Sequence, residues 1–331
     1  MTLSEEQLEA VLHRYGHSFV RVDFVQSGYR NTSHIVETST GLLCNLIVYK
    51  REDGIAERIR RVNAFSRHLR DAGLPVRVPL DERLLQLHTG EFLHYACLYS
   101  FEHGATIPWE AYAMKHIKLL GSALAKLHVA ARSYEGVLPS VAQEYLSIVA
   151  RMERYFADPD VVKAIREKLD AELQLPFADF RTLLEATDRQ SDQQALHMDF
   201  VRGNVLFRPA EEGDVLVVDS VALSGILDLE KAAFGHPAFD LARTLAFLLV
   251  DCNKSAEKVR KYFLQSGYVK RGGGYVGVSA EDSTRPLEEL TTLFLVYDFY
   301  KFLRQNPYES LAKNHHFVRT RDILVERKVL Q

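Results

Sequence analysis

The chain has 331 residues, 41 Lys+Arg against 44 Asp+Glu for a formal net charge of −3, and 47% hydrophobic residues. That describes a folded chain of about two structural units, large enough to enclose a cleft, and it excludes disordered and fibrous classes. Near-balanced charge without a local basic patch argues against nucleic acid as a partner and leaves a small-molecule site as the expectation.

Phe19 to Val25 reads as a strand, and the turn-prone Ser27-Gly28-Tyr29-Arg30-Asn31 separates it from a second, His34 to Thr38. Thr40-Gly41 marks a hairpin into a third, Leu42 to Tyr49. After Asp53-Gly54, Ile55, Ile59, Val62, Phe65 and Leu69 recur at three and four residues, one apolar stripe on a helix that Gly73 and Pro75 close. Leu84 to Leu87 and Phe92 to Tyr99 complete an antiparallel sheet with one helix packed on it. From about Trp109 the pattern turns helical. Leu119 to Leu127 forms one face, Val141 to Leu184 more helix broken at Asp158-Pro159 and Pro176, and Leu290 to Leu303 the clearest later helix. Short strand signals return at Asn204 to Phe207, Val215 to Val218 and Gly225 to Leu229. The expected fold is α+β in two lobes, a small sheet lobe over residues 1–103 and a larger helical lobe over 104–331.

The most informative stretch is His197-Met198-Asp199-Phe200-Val201-Arg202-Gly203-Asn204, followed by Gly225-Ile226-Leu227-Asp228-Leu229-Glu230. Phosphoryl transfer asks a protein to hold a hydroxyl in line, hold Mg²⁺ on nucleotide phosphates and offset charge on the moving group. Hard Mg²⁺ takes oxygen ligands, so a carboxylate and an amide oxygen beside the phosphates suit it. An Asp and an Asn five residues apart, with a second Asp some thirty residues on, is the kinase arrangement.

Here the chain resembles the aminoglycoside phosphotransferase and choline kinase superfamily, small-molecule kinases with a protein-kinase-like fold. The resemblance rests on His197, Asp199, Gly203 and Asn204, on Leu227-Asp228-Leu229-Glu230, on Pro237-Ala238-Phe239-Asp240-Leu241-Ala242, and on the helix Leu120-Gly121-Ser122-Ala123-Leu124-Ala125-Lys126-Leu127-His128. Met198 stands where the family has Gly, and Val201-Arg202 where it has His-Pro. The resemblance implies an ATP-dependent transfer of the γ-phosphate to a hydroxyl of a small metabolite, an amino alcohol, amino acid, sugar or aminoglycoside-like acceptor. Asp199 would orient the hydroxyl and accept its proton, Asn204 and Asp228 would hold Mg²⁺, and Glu230 would reach a second metal. The stretch Tyr99 to Gly104, including Ser100 and Glu102, would form the hinge that meets adenine, with Gly28 and Asn31 at the phosphate turn. Asp240, His197 and His128 would be structural.

A lysine on the third strand, paired with a helix glutamate, should meet the α and β phosphates. Lys50 is the candidate and Glu57 its partner, although related proteins place that lysine nearer Leu46 or Ile47. Either a bulge carries Lys50 inward or the site lacks this cation. Arg202 is a candidate for the phosphates or an anionic acceptor. Tyr297, Phe299, Tyr300 and Phe302, with Asp298, form a candidate cage for an ammonium group. The competing expectation is a catalytically silent kinase-like protein that binds nucleotide or metabolite.

Other features carry no such chemistry. Gly272 to Gly277 formally matches GxGxxG but lacks the following helix, no GxxxxGK[ST] occurs, and His315-His316 has no partner at metal-ligand spacing. A protein-kinase reading lacks a glycine-rich loop near Gly28 and any Asp-Phe-Gly sequence. Cys44, Cys97 and Cys252 stand far apart and read as reduced, buried thiols. Residues 1–16 are acidic and amphipathic rather than signal-like, and the longest apolar runs are too short to span a bilayer, so a cytoplasmic protein without membrane contact is expected.

Overall fold

The computed structural model describes residues 2–27, 31–89, 92–108, 111–272 and 284–331. Helix α1 (Glu5–Arg14) opens on a capping box from Ser4 and Gln7, then strands β1 (Phe19–Ser27), β2 (Asn31–Thr38) and β3 (Leu43–Tyr49) follow in antiparallel register. Helix α2 (Ile55–Asp71) intervenes before β4 (Leu85–Thr89) and β5 (Phe92–Ser100), and the sheet order is β1-β2-β3-β5-β4. Alternation along the strands gives the sheet two apolar faces, and each is covered. Ile47 and Tyr49 pack on Ile55 and Ile59 of α2, whereas Cys44, Leu46 and Val48 pack on Leu8, Val11 and Leu12 of α1. The single packed helix expected from the sequence is therefore corrected to two. The N-terminal amphipathic segment covers the outer face.

The chain leaves β5 through Ser100 to Ala105, which bridges to Phe207 with two 2.9 Å backbone bonds. Helices α3 (Met114–Ala131), α4 (Val141–Phe156), α5 (Pro159–Leu169) and α6 (Phe177–Asp188) precede short strands β6 (Gln194–Leu196), β7 (Val205–Pro209), β8 (Val217–Val218), β9 (Val221–Ile226) and β10 (Ala233–Gly235). β7-β9-β8 form one small sheet and β10-β6 another, and both lie under the junction of the lobes. Helices α7 (Pro237–Asp251), α8 (Ala256–Arg260), α9 (Thr284–Gln305), α10 (Tyr308–Leu311) and α11 (His315–Glu326) finish the helical lobe. One core runs through it, joining Leu120 and Leu124 of α3 to Phe239 and Leu245 of α7 and Phe294 of α9. The strand expected at Gly225 to Leu229 ends instead at Ile226, because Asp228 takes a left-handed turn at φ 56°. Val76 pairs with Ile226, which ties the end of α2 in the small lobe to the strand that leads into this turn. The three thiols are buried and unbridged, and among the described residues no helix is long and apolar enough to cross a membrane. The Gly28 turn and Gly273 to Gly277 lie outside the described residues.

Candidate active site

Two loops meet at the floor of the cleft. The first leaves β6 at His197. Asp240, in the first turn of α7, is fully buried, and its two oxygens accept the His197 and Met198 amides, each at 2.8 Å. His128 Nε2 stands 3.1 Å from the same carboxylate, and Tyr268 hydroxyl holds the other ring nitrogen at 2.7 Å. Burial pushes the Asp240 carboxyl up, but His128, His197 and the amides outweigh it and hold the group below its ordinary value. An anion clamped this way fixes the loop. Met198 sits at φ 61°, in the left-handed region that favours Gly, with its side chain buried in the core.

Asp199 follows at the cleft floor. Asn204, at the end of a single 3-10 turn (Arg202–Asn204), donates from Nδ2 to the Asp199 backbone oxygen at 2.9 Å and to its Oδ2 at 3.2 Å. Lys231 Nζ approaches the other carboxylate oxygen at 2.8 Å. The second loop is tied to the first twice. Leu227 N–H donates to Asn204 carbonyl at 2.8 Å, and His197, whose Nδ1 accepts the Asp199 amide, turns Nε2 to the Leu227 carbonyl at 3.2 Å. Asp228 therefore stands beside the Asp199–Asn204 pair, and the Glu230 amide reaches Asp228 Oδ1 at 3.4 Å. Asn31 Nδ2 donates to the Glu230 carboxylate, joining β2 of the small lobe to this loop.

Because the Asn204 amino group faces Asp199, its carbonyl oxygen is left for a ligand, and the backbone bond from Leu227 to Asn204 ties the turn that carries the Asp228 carboxylate to the same loop. Those are hard oxygen donors, which fit Mg²⁺ completed by phosphate oxygens and water. Among the described residues no three His, Cys, Asp or Glu side chains form a metal cluster.

The other sequence candidates fall differently. β3 pairs in unbroken register with β2 and β5, so no bulge carries Lys50 inward. Lys50 lies one residue past the strand, exposed, its amide 3.4 Å from Asn31 Oδ1. Glu57 is exposed and pairs with Arg61 one turn along α2 at 3.2 Å, so the expected lysine–glutamate pair is not formed. Ser100 donates to Glu102 at 2.6 Å and accepts the Val78 amide, while Arg70 reaches the same Glu102 carboxylate. These side chains brace the hinge, and their polar atoms are engaged with one another. Arg202 is drawn back to Asp251 at 3.3 Å, where His316 also binds at 3.0 Å, rather than toward the phosphates. The ammonium cage is likewise corrected. Asp298 takes Arg243 in a two-pronged pair at 2.7 and 3.0 Å and Lys301 at 2.7 Å, and Lys301 Nζ sits 4.7 Å from the Tyr297 ring centre. The protein's own cations occupy the aromatic face and the carboxylate. Gly28 lies outside the described residues.

Sequence reasoning missed Lys231, Arg243 and Lys301. Lys231 directly follows Glu230, and Arg243 stands one helical turn after Asp240, so proximity to the motifs was the available signal. A cavity of about 320 Å³ opens beside Asp199, with Lys231, Arg243, Tyr297 and Lys301 among its walls and Arg58 and Arg61 of α2 facing them. A larger one, about 480 Å³, lies between the end of α7 and α11; Asp199 lines neither and meets the smaller through its contact with Lys231.

A sheet lobe hinged to a helical lobe, with a braced Asp/Asn loop facing a second Asp turn at their junction, defines a kinase-like phosphotransferase. The model of the phosphotransferase enzyme family, APH, matches residues 21–271, and the chain belongs to that family. That family is one of phosphotransferase enzymes. No curated protein matches the sequence. Similar solved structures include the amicoumacin kinase hAmiN in complex with AMP-PNP, Ca²⁺ and Ami, with 13% identity, TM-score 0.66, and 98% of this chain and 94% of that one covered. A microcompartment-associated aminopropanol kinase gives 15% identity and TM-score 0.66 over 98% and 97%. An ethanolamine kinase of Plasmodium vivax gives 15% and 0.53 over 94% and 82%. At these identities the likeness establishes the protein-kinase-like fold.

Proposed function

We propose that the chain transfers the γ-phosphate of ATP, with Mg²⁺, to a hydroxyl of a small metabolite. The observation that supports this reading is the Asp199–Asn204 hydrogen bond on one loop, with Leu227 N–H bonded to Asn204 so that the Asp228 turn adjoins it and Asp240 bracing the loop from below. Nucleotide would lie between the lobes, held by the hinge backbone of residues 1–103, and the acceptor would sit on the 104–331 side in the cavity beside Lys231. A nucleotide donor and three buried thiols suit the cytoplasm.

Asp199 would accept the acceptor's proton as the hydroxyl attacks, a contribution of about 10²- to 10⁴-fold. Asn204 restricts the carboxylate's rotation, and Lys231 supplies a positive charge within contact of it. Asn204, Asp228 and, second to them, Glu230 are the residues that would hold Mg²⁺, which when bound offsets charge on the phosphates. An ADP-release screen of hydroxyl metabolites tests the reading, with Asp199→Asn as the paired variant. The expected result is turnover that falls at least about 100-fold in that variant while nucleotide affinity persists. Wild-type rates in Asp199→Asn would remove it from the mechanism.

A second reading, a binding protein without turnover, draws on the exposed Lys50 and on Lys231 closing onto Asp199. Saturable nucleotide binding with no ADP release against any acceptor would select it.

A further inference from the structure

The face of β3 turned toward α2 carries Asn45, Ile47 and Tyr49 and no cation. Asn45 accepts Ser33 hydroxyl at 2.5 Å. Opposite on α2 stands Asn63, not a carboxylate. Tyr99 hydroxyl donates to Asn63 Oδ1 at 2.9 Å and contacts Tyr49 hydroxyl at 2.6 Å, and Asn63 Nδ2 reaches Cys97 sulfur at 3.6 Å. Burial pushes both tyrosine hydroxyls up, so they stay protonated. A closed, neutral network thus fills the place of a lysine–glutamate pair. The phosphates of a bound nucleotide still need a cation.

Arg77 borders the same space. Its amide donates to the Ile226 carbonyl at 3.1 Å, two residues before Asp228, so its backbone is fixed to the loop that faces the phosphates. Its guanidinium lies 5.1 Å from the Tyr99 ring centre and, with Tyr49, Asp228 and Glu230, lines the narrow crevice between the lobes. Among the described residues no carboxylate lies within ion-pair distance of it, whereas Arg58, Arg61, Arg70 and Lys231 each have one. A guanidinium stacked on an aromatic ring keeps its forked N–H donors free, and that fork matches two phosphate oxygens.

We propose that Arg77, reaching past Tyr99 from the segment between α2 and β4, contacts the α and β phosphates in place of a β3 lysine. This rests on the nucleotide-dependent reading above. The crevice itself has only about 10 Å³ free, so the contact is made at its mouth.

Calorimetric titration of adenosine, ADP and AMP-PNP with Mg²⁺, and of the guanine counterparts, tests it on wild type, Arg77→Gln, Arg77→Lys and Lys50→Ala. Loss of a charge-assisted contact should weaken ADP and AMP-PNP about 10- to 100-fold in Arg77→Gln, with nucleoside affinity kept within about twofold. Arg77→Lys should recover most of the loss, and Lys50→Ala should match wild type. Arg77→Met keeps the aliphatic packing on Tyr99 and replaces Gln if that variant does not fold. Equal weakening of nucleoside and nucleotide, no weakening at all, or a phosphate-selective loss in Lys50→Ala would each overturn the assignment. Wild type that binds neither purine nucleotide would sink the donor reading itself, while binding indifferent to residue 77 would sink only Arg77.

Discussion

Asp298 shows how one carboxylate can hold two cations in a nearly closed interior. Arg243 is 2% exposed, and its guanidinium has no other carboxylate within reach among the described residues. Burial pushes the Asp298 carboxyl up, yet Arg243 first and Lys301 second overcome this and bring it down to about 2. A folded pKa below the ordinary carboxylate value means stability that is complete above about pH 4 and is lost as pH falls toward about 2, a swing of about 2 kcal/mol. Denaturant unfolding followed from pH 6 to pH 2 should show that limb, and Asp298→Asn should flatten it while costing about 3–5 kcal/mol at neutral pH through the unpaired Arg243. An acid limb of unchanged steepness in the Asn variant would place the titrating group elsewhere. The same residue shows a limit of sequence reasoning. Tyr297 and Asp298 were legible as an aromatic beside an acid, but the partner that decides their role, Arg243, is 55 positions away.

At the level of elements, α3 owes its close packing to one glycine. A Cβ on Gly121 would lie 2.1 Å from the Phe263 carbonyl and 2.9 Å from the Tyr268 amide, both in the π-helical turn Lys261–Tyr268. Backbone cannot yield there, because Tyr268 hydroxyl must also reach His128, which in turn holds Asp240 under the catalytic loop. Gly121→Ala should therefore cost about 3 kcal/mol or more, beyond the usual effect of overpacking, and lower turnover along with the melting temperature. A variant as stable as wild type would show that the two segments can part. The motif that contains Gly121 was visible in the sequence, and so were the stripe of α2, the hairpins and the Asp199, Asn204 and Asp228 spacing, since each is written in local periodicity or in fixed offsets. The outer helix α1 could be read as amphipathic but not assigned to a face, because its partners Leu46, Val48 and Leu98 are chosen by strand order. Lys50 failed for a related reason. Counting along a strand gives the face only when its last paired residue is known, and β3 stops at Tyr49.

Across the whole molecule, the charge around the cavity beside Asp199 bears on what the enzyme accepts. Its walls bring Arg58 and Arg61 from the small lobe against Lys231, Arg243 and Lys301 from the large one, with Glu144 and Glu230 as the lining carboxylates. Glu144 and Glu230 each bring a negative charge, Asn31 giving Glu230 a neutral amide, while Arg58, Arg61 and Lys231 are answered by Glu52, Glu57 and Asp199. Within the cluster at the floor, however, a single Asp298 faces both Arg243 and Lys301, so the excess of one positive charge is local to those two side chains. Burial lowers the Lys301 pKa against the opposing pull of Asp298, and a ligand anion beside its ammonium would favour the charged form. An amine entering the same space meets repulsion and finds the Tyr297 face already taken by Lys301. Matched hydroxy acids and amino alcohols of equal length, assayed for kcat/KM, should then differ at least about tenfold in favour of the acid, an advantage worth roughly 1.4 kcal/mol. Lys301→Gln should shrink that ratio by raising the KM of the acid more than that of the amine. Preference for the amine in wild type, or a ratio indifferent to residue 301, would mean that Asp298 rather than its two cations governs the pocket.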